Sequence, residues 1–305
     1  MNLRKSCLPL GWYPRDPSKI KDFLQEFAEK GQPGVNGLLA AVAPHAGWYY
    51  SGAVAAQAVA ALSAGASNKN SGSPNTGNFA ASTVVVIGGH LPEGMPALFA
   101  MEDAAETPLG AMEIDNELRA SLLTGFREIP GFRAAEDRYQ DNTVEVLLPM
   151  AAYFFPGAKL LWLRLPADIR SFEAGKILAR VSPEKKLLVL GSTDLTHYGA
   201  NYGFSPKGSG KEALSWVTTV NDRRFIDAVE AGDPEAALQR AEEERSACSA
   251  GAVLGVMGYA AERRAAGGSG NSAGKLLEYG TSAEIAMQDE GIMPDSFVGY
   301  AAIGF

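Results

Sequence analysis

The sequence predicts an α/β fold, a single domain with a central, mostly parallel or mixed β-sheet flanked by helices. Short apolar runs such as "TVVVIG" (83–88) and "LLVLG" (187–191) lack the alternation of a half-exposed strand and read as strands buried on both faces. Helix-length segments separate these runs, which favours parallel neighbours joined by crossovers. With 46% hydrophobic and 20% charged residues, the composition is that of an ordinary globular protein. A chain of 305 residues buries roughly 75% of the surface its unfolded form exposes and needs no covalent staples.

A helix over 17–30 opens on Pro17 and repeats apolar side chains at Ile20, Phe23, Leu24 and Phe27. A strand over 38–43 ("LLAAVA") is succeeded by an alanine-rich helix over 51–62, a strand over 83–88 and a helix over 115–124. The polar stretch "DRYQDNTVE" (137–145) reads as solvent-exposed, although Asp141, Asn142 and Glu145 are within reach of a nearby site. "TVEVLLPMAAYFF" stays ambiguous because Pro149 breaks or kinks a helix there. A strand over 160–165, a helix over 169–180 and a strand over 187–191 come next, then helices over 211–231, 234–244 and 248–264. In the last helix Gly251, Gly255 and Gly258 form a small-residue stripe suited to close packing. Strands over 276–280 and 298–305 close the chain. Two stretches rich in Gly, Ser and Asn, about 63–82 and 265–275, read as surface loops within one domain spanning 1–305.

Several function classes are set aside. A net charge of −8 and the lack of any Lys/Arg patch interleaved with aromatics argue against nucleic acid. No window approaches the ~18 apolar residues of a membrane span, and the apolar run before Gly11 is too short for a secretory signal. Two cysteines, Cys7 and Cys248, make no disulfide framework and fit a reducing cytoplasm. There is no Walker loop, no G-x-G-x-x-G and no C-x-x-C. "GNSAG" (270–274) matches the nucleophile-elbow pattern but has a glycine-rich loop, not a strand, before its serine.

All three histidines, His45, His90 and His197, come closely after apolar strands. In open α/β sheets ligands bind beyond the carboxyl ends of parallel strands. If those strands run the same way, the three imidazoles share one rim. Imidazole is the commonest metal ligand and titrates nearest neutral pH. Cys248, expected at a helix N-terminus, is either a third ligand or an inert buried thiol. Asp194 in "GSTDLTH" either caps the turn after its strand or accepts a histidine ring N–H, and the two roles are compatible. At least one of Trp48, Tyr49 and Tyr50 is expected to line the pocket.

"APHAGWYYSG" (43–52), "ETPLGAMEID" (106–115), "DNTVEVLLP" (141–149), "GSTDLTHYG" (191–199) and "ACSAG" (247–251) occur in the order found in the Memo family, whose prokaryotic members are called AmmeMemoRadiSam system protein B. The chain resembles that family from "LPLGWYPRDPSKIKDFLQEF" to "VGYAAIGF". The resemblance implies a fold similar to the class III extradiol dioxygenases with a metal pocket at the strand ends. It places His45, His90 and Cys248 as metal ligands and Asp194 and His197 as the polar pair beside the metal. Cysteine stands where the dioxygenases use a carboxylate. Gly88-Gly89-His90 is one residue shorter than the family's usual G-P-x-H, and Asn142 stands where the family commonly has histidine.

The expected activity is metal-dependent redox, dioxygenase-like chemistry on a small substrate, with Fe(II) as the divalent metal and Cu or Zn as further options. His197 would move a proton and Asp194 would orient it. The alternatives are a non-catalytic module binding a peptide or protein in the same cleft, and a metal-assisted hydrolase. The family name adds a radical SAM protein and an AMMECR-type protein as expected partners.

Overall fold

The computed structural model describes residues 2–30, 38–66, 82–183, 186–267 and 273–305. Its spine is a nine-stranded mixed sheet. Four parallel strands form the centre in the order Ala40–Ala43, Leu187–Ser192, Thr83–Gly88 and Lys159–Arg164. Ser296–Gly304 runs antiparallel to Ala40–Ala43 and also pairs with Lys275–Thr281 and His197–Gly199. Beyond Lys159–Arg164 lie the short strands Ala97–Phe99, antiparallel to it, and Ala134–Glu136.

The apolar runs expected as buried strands are covered on both faces. Val84, Val86, Leu160, Trp162, Leu188 and Leu190 enter one core layer, while Val85, Ile87, Leu161, Leu163 and Val189 enter the other. That division is the period-two alternation of a strand with helices on each side. Helices Pro17–Lys30, Trp48–Ala66 and Leu148–Phe154 cover the first face. Asn116–Gly125, Arg170–Arg180, Asp222–Ala231 and Ala250–Ala265 cover the second. The ambiguous segment resolves into a short helix, Asn142–Glu145, and the helix Leu148–Phe154, which accepts Pro149 in its first turn. No helix among the described residues is long and apolar enough to cross a membrane.

Three expectations are corrected. The long helix over 211–231 is interrupted by a π turn, Val217–Asn221, between Lys211–Trp216 and Asp222–Ala231. The turn puts adjacent residues 221 and 222 toward the same loop: Asn221 Nδ2 donates to Thr196 Oγ1 and Glu244 O, and Asp222 accepts the Thr196 N–H. The helix expected from Cys248 begins at Ala250. Hydrogen bonds from the Cys248 N–H to Asp194 O and from the Ser249 N–H to Thr193 Oγ1 hold this stretch against the neighbouring loop, so Cys248 precedes the helix. Of the two expected surface loops, 67–81 and 268–272 lie outside the described residues; on their flanks, helix Trp48–Ala66 runs on past Leu62 and a strand starts at Lys275.

The glycine stripe packs as its composition suggests. A Cβ on Gly251 would collide with Pro166 O, one on Gly258 with Phe172 O, and one on Gly175 with Gly255 O. Helices Arg170–Arg180 and Ala250–Ala265 therefore meet backbone to backbone, which seats the loop before the second helix. Gly258→Ala is expected to cost about 1–3 kcal/mol, the range for overpacking a close-packed core, measured as a fall in the urea midpoint with unchanged slope.

Candidate metal centre

Because the four central strands are parallel, their carboxyl ends form one edge, and the chain leaves that edge with its polar residues at equal steps. His45 lies two residues past Ala43, His90 two past Gly88 and Asp194 two past Ser192. His45 Nε2 is 3.2 Å from His90 Nε2 and 3.2 Å from Cys248 Sγ. One donor atom from each of His45, His90 and Cys248 lies within 4.8 Å of the other two. Two imidazole nitrogens and a sulfur gathered in this way suit a borderline divalent ion.

The rings are oriented from behind. His90 Nδ1 lies 3.1 Å from Asp141 Oδ2. An ionised carboxylate only accepts, so Nδ1 carries the proton there and Nε2 faces the centre. His45 Nδ1 meets Ser192 Oγ at 2.9 Å, which leaves its Nε2 turned inward too. Asp194 is buried and accepts the backbone N–H of His45 at 2.7 Å; its own N–H donates to Cys248 Sγ at 3.3 Å. It thus ties two ligand loops together through the backbone. Ring orientation, one of the two roles open to it in the sequence, falls to Asp141 and Ser192.

Asp141 belongs to a buried line of alternating charge. Arg164 is 3% exposed and places its guanidinium 3.1 Å from Asp141 and 3.3 Å from Asp137. Asp137 also accepts from Trp162 Nε1 at 2.9 Å and has Arg4 3.6 Å away. Arg164 Nε and Nη2 both donate to Gly89 O, fixing the peptide before His90. With so many donors the line avoids the unpaired buried charge that would be costly.

The shortened Gly88-Gly89-His90 motif still delivers its ring. A Cβ on Gly88 would strike Thr143 Oγ1, and one on Gly89 would strike Ser249, so both positions need the missing side chain. His90 itself takes a left-handed φ of 56°, a conformation in which histidine is enriched relative to most residues. Its N–H donates to Ser249 Oγ at 3.2 Å. Asn142 donates from Nδ2 to His45 O at 2.9 Å, so the residue in place of the family histidine braces the first ligand loop.

Titration reflects this packing in the metal-free protein. Burial opposes ionisation of the Cys248 thiol, but the His45 charge and hydrogen bonds from His45 and His90 bring it down to about 6. Burial likewise opposes protonation of His90, yet Asp141 and Cys248 raise it to about 10. Asp141 is held at about 2: burial works against its ionisation, and His90, Thr143 and Arg164 outweigh it. Burial lowers His197, while it raises Asp194.

A cavity of about 640 Å³ opens beside the donors, lined by His45, His90, Asn142, Asp194 and His197 among others. Tyr49 and Tyr50 line it as well, whereas Trp48 is buried beneath them and donates to Val146 O. A smaller cavity of about 380 Å³ reaches Cys248 between His197, Tyr202 and Arg245. His197 Nδ1 lies 3.2 Å from Leu195 O. A carbonyl only accepts, so Nδ1 is the protonated nitrogen and Nε2 keeps its lone pair.

One wall of the larger cavity, Leu10 to Trp12, comes from the N-terminal segment. Glu145 anchors that segment: it is 2% exposed and accepts the N–H groups of Cys7 and Leu8, the Cys7 thiol and the Tyr13 hydroxyl. The expectation that this stretch faces solvent is thus corrected for Glu145, which is buried, and for Asp141, which is half-buried against Arg164. Sequence reading passed over Arg164, whose signal is a charge closing the apolar run "KLLWLR". It also passed over Ser192 and Tyr202, which carry no comparable mark.

With this geometry in place, comparison with known proteins is decisive for the family. The family described as Memo-like protein matches residues 7–304. The chain belongs to the Memo-like family. A MEMO1 family protein of Pyrococcus furiosus is 27% identical over 312 residues, covering 99% of this chain and 98% of that protein. One of Caldivirga maquilingensis is 27% identical over 277 residues, covering 88% and 83%. One of Methanococcoides burtonii is 31% identical over 273 residues, covering 87% and 86%.

Asp141→Asn should weaken metal binding about 10- to 100-fold, the usual effect of losing a ligand's outer partner, read by competition with a chromogenic chelator. In the metal-free protein, iodoacetamide should label Cys248 at a rate that rises through about pH 6 and then levels. Cys7, whose thiol burial and Glu145 raise to about 11, should lag at neutral pH; peptide mass spectrometry distinguishes the two.

Proposed function

We propose that this Memo-like protein is a metal-dependent redox enzyme with dioxygenase-like chemistry on a small organic substrate held in the larger cavity. The observation that supports it most is the convergence of His45, His90 and Cys248, of which the two histidines line the larger cavity together with His197 and Cys248 lines the smaller one. In this reading the two imidazoles and the thiolate hold the ion. Fe(II) bound there would supply electron transfer to dioxygen, and Cu or Zn suit the same donors.

The chain's own residues do the rest. Asp141, backed by Arg164, keeps His90 Nε2 turned to the centre. Ser192 does the same for His45. Asp194 holds the His45 and Cys248 loops in register through its carboxylate and its N–H. Burial keeps His197 neutral, and with Nδ1 on Leu195 O its Nε2 is a base able to take a proton from a substrate hydroxyl or amine in the cavity. The Asp194 charge favours the imidazolium that results. A second reading, a non-catalytic module using the same cleft, draws support from the exposed Leu10 and Tyr49 at its mouth.

Anaerobic purification and elemental analysis should find about one iron, copper or zinc ion per chain, lost in His45→Ala. With iron, dioxygen uptake across a panel of small phenols and amines should fall about 10²- to 10⁴-fold in His197→Ala while metal content holds. Failure to take up any of the three metals would leave the binding module as the better reading.

A further inference from the structure

We propose that the 640 Å³ cavity selects an arylalkylamine, a ring carrying a positively charged amine on an alkyl arm and no carboxylate or phosphate. The inference rests on the reading of this cavity as a substrate site and adds the class of molecule that enters it.

Exposed large apolar side chains are concentrated at this one place. Of the eight such residues among those described, four, Leu10, Tyr49, Tyr50 and Tyr202, line this cavity. Clustering of that kind marks a recognition surface, whereas scattered single residues need no explanation. The Tyr49 and Tyr50 rings meet edge to face with centroids 4.8 Å apart, and Tyr202 stands edge to face against His197 at 5.0 Å. These rings offer faces and edges for a flat guest, and ring faces attract cations.

The charges around the cavity agree. No lysine or arginine lines it among the described residues, and its wall carries the carboxyl group of Asp194. A second carboxylate, Asp289, accepts the Tyr49 hydroxyl at the mouth. Tyr50, Tyr202 and Tyr300 all lie close enough to interact electrostatically with Asp194 or with one another. Arg245 lines the smaller cavity, which shares His197 and Tyr202 with the larger one. It donates to Gly203 O and Tyr202 O and lies 5.1 Å over the Phe204 ring. No lysine or arginine side chain supplies a positive charge from the lining of the larger cavity among the described residues. His197, kept neutral by burial, supplies none either.

The experiment uses the full chain loaded with zinc, which has no redox chemistry of its own, and three probes sharing one ring: tyramine, para-cresol and para-hydroxyphenylacetate. Calorimetry should show tyramine binding about tenfold more tightly than para-hydroxyphenylacetate, with para-cresol between them. The gap should narrow as salt is raised. Tyr49→Ala and Tyr50→Ala should each weaken tyramine several-fold, by roughly the loss of one ring contact, without changing zinc content. Equal or tighter binding of para-hydroxyphenylacetate, or tyramine binding that is absent or indifferent to both tyrosines, overturns the proposal. Dioxygen uptake by the iron-loaded protein is read separately, so loss of the redox reading and loss of the amine preference are distinct results.

Discussion

Everything at the site depends on the parallel registration of three neighbouring strands. Ala40 pairs beside Val189, and Thr83 beside Leu187, so the Ala40–Ala43, Leu187–Ser192 and Thr83–Gly88 strands end together on one edge. Backbone hydrogen bonding sets that alignment, and the alternating apolar side chains lock it, because a slip of one residue would turn every buried side chain to the wrong layer. Two residues of loop then suffice to bring His45, His90 and Asp194 from three distant parts of the chain into one small volume. Cys248 comes from the loop just before a helix that the glycine stripe draws hard against its neighbour.

Around this edge the protein uses polar groups in a graded way. The groups nearest the centre are imidazole and thiol, the groups behind them are carboxylate and hydroxyl, and behind those stand Arg164, Asp137 and Arg4. Each layer satisfies the one in front. Arg164 is the pivot, since the same guanidinium steadies Asp141 and holds the Gly89 carbonyl that sets the left-handed turn into His90. Placement of one imidazole is thereby connected to packing more than one side chain away.

The sequence made the centre legible for a physical reason. Continuous apolar strands are the strongest local signal in an α/β protein, and a histidine just after one is conspicuous in a chain with three histidines. The supporting groups were harder to see. Asp141 and Glu145 sit in a polar stretch that reads as solvent-facing, and their burial is decided by Arg164 and by the N-terminal segment, both remote in sequence. The Cys248 position was misjudged by two residues because hydrogen bonds to Thr193 and Asp194 override the helical tendency of the residues from Ala250 onward. The π turn escaped for a similar reason: its extra residue serves Thr196, twenty-five positions away from Asn221. The two-residue strands Leu3–Arg4, Ala104–Ala105 and Met112–Glu113 are too short for any periodic signal.

The Glu145 anchor bears on how the protein matures. Leu10 to Trp12 and Pro294, Ser296, Val298 and Tyr300 line the same hollow, so its walls draw on segments nearly 300 residues apart in the sequence. The candidate metal donors, by contrast, come from loops after two central strands and before helix Ala250–Ala265. The larger hollow is complete only with both segments in place, while the His45, His90 and Cys248 cluster draws on neither. Guest affinity therefore reports completed assembly of the whole molecule, while metal retention reports only its heart.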